Sequence, residues 1–126
     1  MPQYAVFLYA PVSDHEGDTD DRAAQERYEK EMGEHNAYSQ ELQDEGVMHV
    51  AFALESYESA TSLRASGVTD GPFIESKEVV LGGCVIEASD LDAALAIASR
   101  NPILHQGGGV EVRPVQGFVI PERHLT

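Results

Sequence analysis

The chain has 126 residues, 42% of them hydrophobic, and a formal net charge of −14 from 22 acidic and 8 basic side chains. That length and apolar content fit one globular domain over residues 1–126 and argue against a disordered chain. A field of that sign repels phosphate backbones and anionic lipid, and no apolar run reaches the roughly 18 to 20 residues that cross a bilayer, so neither direct nucleic-acid binding nor a membrane partner is expected.

The chain opens on Met1-Pro2-Gln3-Tyr4, which lacks the basic segment and longer apolar stretch of a secretory leader, so a cytoplasmic location is expected. Residues 3–9 are an aromatic-rich apolar run of strand length bounded by Pro11. Residues 11–21 read as an exposed acidic loop, and its Asp14-His15-Glu16 cluster as solvated charge rather than a metal site. From about Asp21 to Glu45 the pattern is helical, with Asp20 or Asp21 as the cap and Gly46 as the stop. Ala24, Tyr28, Met32, His35, Ser39 and Leu42 recur at steps of three or four and define its inward face. Residues 47–54 alternate as a strand. Met48, Val50, Phe52 and Leu54 are expected to pack on helices, while Val47, His49, Ala51 and Ala53 form a smaller side suited to lining a cavity.

Residues 59–66 read as a short strand leading into the turn Asp70-Gly71-Pro72, where Gly71 can take positive φ and Pro72 fixes its own. Residues 79–88 form the most apolar strand, and Gly82-Gly83 inside it predicts a bulge or a close backbone approach. Cys84 lies in the same run and is expected to be a buried, inert thiol; as the single cysteine it excludes an intrachain disulfide and fits a reducing compartment. Ser89 opens a second helix, with Asp92 completing a capping-box variant, Leu91, Ala94, Leu95 and Ala98 as its buried face, and Asn101-Pro102 as its stop. His105 and Gly107-Gly108-Gly109 fall in a flexible loop before a last strand over residues 110–115, which places Glu111 and Arg113 on one side and Val110 and Val112 on the other. This order is that of an α+β, ferredoxin-like antiparallel sheet with both helices on one face. The other face would be uncovered and would carry His49, Glu111 and Arg113.

Most catalytic signatures are missing. Gly107-Gly108-Gly109 precedes a strand instead of a helix, no G-x-S-x-G elbow occurs, and His15, His35, His49, His105 and His124 show no paired ligand spacing. No metal and no bound cofactor is expected. What remains is a polar set: His35, Asp70 and His105 for acid–base work, with Arg113, His49 and Phe73 to bind substrate. Each has a plainer reading. His35 also suits a hydrogen-bonded position on a helix face, Asp70 a turn, His105 a loop-ordering contact, and Arg113 an ion pair with Glu111.

The run Thr69-Asp70-Gly71-Pro72-Phe73, then Glu75-x-Lys77-Glu78 and Leu81-Gly82-Gly83, resembles the signature of the DGPF group of YciI-like (YCII-related) proteins. Ser89-Asp90-Leu91-Asp92-x-Ala94 and Gly109-Val110-Glu111-Val112-Arg113-Pro114-Val115 resemble the carboxyl-terminal half of the same family, whose likeness spans about residues 3–116. His35-x-x-Tyr38 is similar to a helix motif of the broader family, in which a histidine and an aspartate are the proposed active pair. The resemblance implies a homodimer in which two sheets pack face to face as a dimeric α+β barrel. It further implies a pocket for a small carboxylate or aromatic ligand at that barrel. The alternative it implies is a non-enzymatic regulatory partner of an extracytoplasmic-function sigma factor, a role to which an acidic surface is suited.

Overall fold

The computed structural model describes residues 1–12, 21–72 and 77–119. Its elements run β1 (Gln3–Pro11), α1 (Asp21–Asp44), β2 (Met48–Ala53), a 3-10 turn (Tyr57–Ser59), β3 (Thr61–Arg64), β4 (Gly67–Asp70), β5 (Glu78–Glu87), α2 (Leu91–Ala98), a second 3-10 turn (Pro102–Leu104) and β6 (Gly109–Pro114). Four strands form one antiparallel sheet in the order β2-β5-β1-β6. Each helix therefore connects two strands that flank a third, the split arrangement of the ferredoxin-like order. Most of the acidic loop with its Asp14-His15-Glu16 cluster, the proposed cap Asp20, and Phe73 lie outside the described residues, and Asp21 is the first residue of α1.

One face of the sheet meets the helices because β1 and β5 put a contiguous set of buried apolar side chains there. Tyr4 and Val6 of β1 stand beside Ile86 and Cys84 of β5, and Leu42, Ala94 and Ala98 from the helices close over them as the core. On α2 the buried face is narrower than the sequence suggests. Ala94 and Ala98 are buried, whereas Leu91 and Leu95 are nearly half exposed, because small side chains let the helix backbone sit close on the sheet. Asp90, and not Ser89, caps this helix: its carboxylate accepts from Ala93 N–H at 2.8 Å.

The carboxyl end of α1 is fixed by its own backbone. Gly46 takes φ +73°, Gly46 N–H donates to Gln43 C=O and Val47 N–H to Leu42 C=O, the paired bonds of a Schellman stop. Leu42 is buried beneath that stop with Val47 packed on the same core. Tyr28, placed on the inward face by spacing, is 59% exposed.

Two bulges reset the strand parity. Between Met48 and Val50 the register of β2 against β5 shifts by one residue at His49. Met48 thus stays on the helix side, opposite Ile86, while Val50 and Phe52 pass to the uncovered face opposite Val85 and Gly83. The expectation that Val50 and Phe52 pack on helices is overturned, and Ala51, opposite Cys84, faces α1. A simple alternation cannot survive an inserted residue. The second shift, between Leu8 and Tyr9, leaves Leu81 as the extra residue of β5 beside Gly82-Gly83, as the two glycines predict. A Cβ on Gly82 would meet Phe52 O at 2.4 Å, and one on Gly83 would meet Val6 O at 2.8 Å and the Phe52 ring at 3.2 Å.

The 59–66 region is one arm of a hairpin that forms a separate two-stranded sheet with β4, a strand taken from the stretch read as turn. Gly71, at φ +95°, ends it, and the Ser62 hydroxyl donates to Gly71 C=O. This hairpin is inserted between β2 and β5.

Candidate functional site

α1 does not lie flat on the sheet along its whole length. Near its carboxyl end Leu42 reaches the core, but toward its middle the helix stands over a cavity of about 570 Å³. Its apolar lining includes Leu8, Met32, Met48, Ala51, Cys84 and Ile103; its polar lining includes Glu31, His35, Asn36 and Ser39 of α1, with Asn101 and Gln106. The small residues Ala51 and Ala53 leave this space on the helix side of the sheet, and not on the uncovered face where the sequence alternation put them.

The two candidate histidines reach one neighbourhood from two elements. His35 is half-buried, and its Nε2 lies 2.9 Å from Gln106 Oε1. A carbonyl oxygen only accepts, so Nε2 carries the proton and donates. His105, more exposed, donates from Nε2 to the Glu34 carboxylate. Consecutive residues of α1 thus meet consecutive residues of the loop after the second 3-10 turn. The hydrogen bond from His105 is the chief cause that holds the Glu34 carboxyl below its ordinary pKa, with the charges of His105 and Lys30 and the Gln106 carboxamide adding to it against desolvation.

The loop owes its shape to two glycines. Gly107 takes φ +94°, and a Cβ on Gly108 would meet Tyr9 O at 2.3 Å and Ile103 Cγ1 at 2.6 Å. Gly108 N–H donates to Ile103 C=O at 2.9 Å. Gly108 therefore serves close packing and Gly107 a positive φ, so the stretch read as a flexible loop is a bonded turn against Ile103.

Asp70 and Arg113 stand elsewhere. Asp70 is the exposed last residue of β4, opposite Thr61, and among the described residues no hydrogen bond joins it to His35 or His105. Arg113 stands opposite Ala5 on the uncovered face, 4.0 Å from the Glu111 carboxylate. His49 is on that face too, its Nε2 2.9 Å from Glu87. Ser39 was placed on the inward face by spacing, but Glu34, Asn36 and Gln106 were not singled out from the sequence; the available signal was adjacency, since each neighbours a candidate histidine.

Two other reactive side chains of this region are quiet. Burial pushes the Cys84 thiol up to about 11, so it stays protonated near neutrality. Tyr38 is pushed up to about 12, first by burial, and its hydroxyl donates to Ile97 C=O at 2.6 Å. Among the described residues no cluster of three His, Cys, Asp or Glu side chains could hold a metal ion, and no helix is long and apolar enough to cross a membrane.

Comparison with known proteins gives two matches. Residues 12–119 match the sequence profile of the YCII-related domain. An uncharacterized protein of Rhizobium meliloti (strain 1021) is 31% identical over 117 residues, which cover 86% of this chain and 92% of that protein.

Proposed function

This chain belongs to the YCII-related family, and on that footing we propose that it binds a small molecule in the cavity beneath α1, with His35 as the acid–base group. The ligand class is a small carboxylate with an aromatic or aliphatic body. The observation that carries this reading is the cavity of about 570 Å³, apolar over most of its wall, with His35 bonded to Gln106 among its polar lining of Glu31, Asn36 and Ser39. Imidazole changes charge nearest neutral pH of all unperturbed side chains, which suits it to move a proton to or from a bound acid. A thermal-shift screen of small aromatic and aliphatic carboxylates tests it. At least one should raise the melting temperature of the native protein and not of Ala51→Phe, a variant in which the cavity is filled. A screen with no hit, or hits that survive the filling, would refute the reading.

The uncovered sheet face we assign to a second copy of the chain, in the dimeric barrel arrangement. Phe7, Val50, Phe52, Val80 and Val85 make that face apolar, and Val50, Phe52 and Val80 are 51%, 49% and 38% exposed. His49 and Arg113 would then lie at the seam, where a substrate-binding role would draw on both subunits. Sedimentation should report a dimer, and Phe52→Asp should give a monomer.

Charge favours a second, non-enzymatic reading. A net charge of −14 suits an acidic partner of a basic protein such as an extracytoplasmic-function sigma factor. Such a complex should form with purified sigma factor at low salt and dissociate at high salt; no complex at either would remove it.

A further inference from the structure

The cavity histidine and its neighbour Glu34 reach the same stretch of the loop, at Gln106 and the more exposed His105 respectively. Gln106 Oε1 accepts from His35, and the carboxamide is thereby oriented with Nε2 turned away from the imidazole. That Nε2 is fully buried and closes no hydrogen bond with the described residues. A buried carboxamide N–H without an acceptor is costly, and the amide could relieve it by turning over, which would put a donor against the His35 ring. The group that can hold it in place is Glu34, one residue before His35. Its carboxylate accepts from His105, the residue before Gln106, while its neighbour His35 meets Gln106 itself, which sets the carboxylate beside the carboxamide without a closed bond between them.

We propose that Glu34 is a positioning residue for His35, acting through Gln106. The carboxylate draws the Gln106 N–H toward itself and fixes the carboxamide oxygen on His35. That oxygen keeps the proton on His35 Nε2, so the lone pair of the neutral ring is on Nδ1. His105 completes the coordination of Glu34 from the solvent side and is not itself needed for the link. The ionisable groups around the imidazole are Glu31 and Glu34 on α1 and His105 on the loop, with Lys30 acting on Glu34 from one turn earlier. This inference rests on the reading of His35 as the working group of the cavity, but its test needs no ligand and so can fail independently.

The experiment is imidazole ¹⁵N–¹H spectroscopy of the whole chain above pH 8, where free imidazoles are neutral, with backbone spectra to confirm that each variant is folded. The native protein should show a His35 Nε2–H proton whose exchange with water is slow. Glu34→Ala and Gln106→Leu should speed that exchange about tenfold or more, equivalent to about 1.4 kcal/mol of lost protection. His105→Ala should change it less than threefold. Equal protection in Glu34→Ala and the native protein would overturn the proposal. So would loss of protection in His105→Ala as complete as in Glu34→Ala, because Glu34 would then only clip the loop to the helix. A native His35 protonated on Nδ1 would overturn it as well.

Discussion

The carboxyl end and the middle of the cavity helix obey different rules. At its carboxyl end α1 is locked: Leu42 is 1% exposed, Gly46 and Val47 close the Schellman bonds, the Tyr38 hydroxyl holds Ile97 C=O, and Arg100 grips the Glu45 carboxylate with two bonds of 2.9 Å. At its middle, Met32 and His35 look across a cavity to the alanines of β2. One helix thus serves as strut and as wall. The lesson is that the backbone carrying His35 is held by anchoring one to three turns further on, so that the wall beside its ring can stay open. Stability and binding should therefore respond to different substitutions.

The strongest blow to the anchored end is Leu42→Ala. Removal of a fully buried leucine should cost about 2–5 kcal/mol, read as a lower urea midpoint at unchanged slope. A cost below about 1 kcal/mol would mean that this end is no better packed than the middle. Gly108→Ala, which drives a methyl into Tyr9 O and Ile103, should cost about 1–3 kcal/mol and loosen the loop that presents His105 and Gln106.

Alkali tests the buried floor beneath both. Cys84 and Tyr38 have raised folded-state values, so the stability they contribute is full below their ordinary values of 9.0 and 10.0 and is lost as pH rises toward about 11 and about 12. For Cys84 the loss is on the order of 2 kcal/mol, and Cys84→Ala should remove that part of the pH dependence of the urea midpoint. A stability flat from pH 8 to 11 would contradict the burial. Asp90→Ala, which strips the cap from α2, should cost about 1 kcal/mol and leave the cavity unaffected. The smallest effect on folding is expected on the open side. Ala51→Phe should change stability by about 0.5 kcal/mol or less while abolishing ligand binding.

Local chemistry made much of the fold legible. Gly46 after a helical run, Gly82-Gly83 inside a strand and a lone apolar-flanked cysteine each have a short-range physical meaning, and each took its expected form. The inserted residue at His49 did not, because a bulge depends on the partner strand and leaves the alternation of β2 looking regular. Leu91 and Leu95 were misplaced for a related reason: hydrophobicity favours leucine in the core, but close helix–sheet contact favours alanine. At the site, helical spacing found His35, and the loop position found His105. Their bonds to Gln106 and Glu34 depend on how a segment 71 residues away in sequence lies against α1, which no periodicity encodes. The Asp70 turn drew attention as a motif, yet it ends a separate hairpin and shares no bond with either histidine among the described residues.

The central claim is that the space under α1 receives a ligand, and the methionines report on it directly. The chain has three: Met32 and Met48 line the cavity, and Met1 is 73% exposed and serves as a control. With ¹³C-methyl methionine, titration with a carboxylate that stabilises the protein should shift the Met32 and Met48 methyl signals together, saturating at one affinity, while Met1 stays fixed. Binding that leaves Met32 and Met48 unmoved would place the ligand elsewhere and contradict the account.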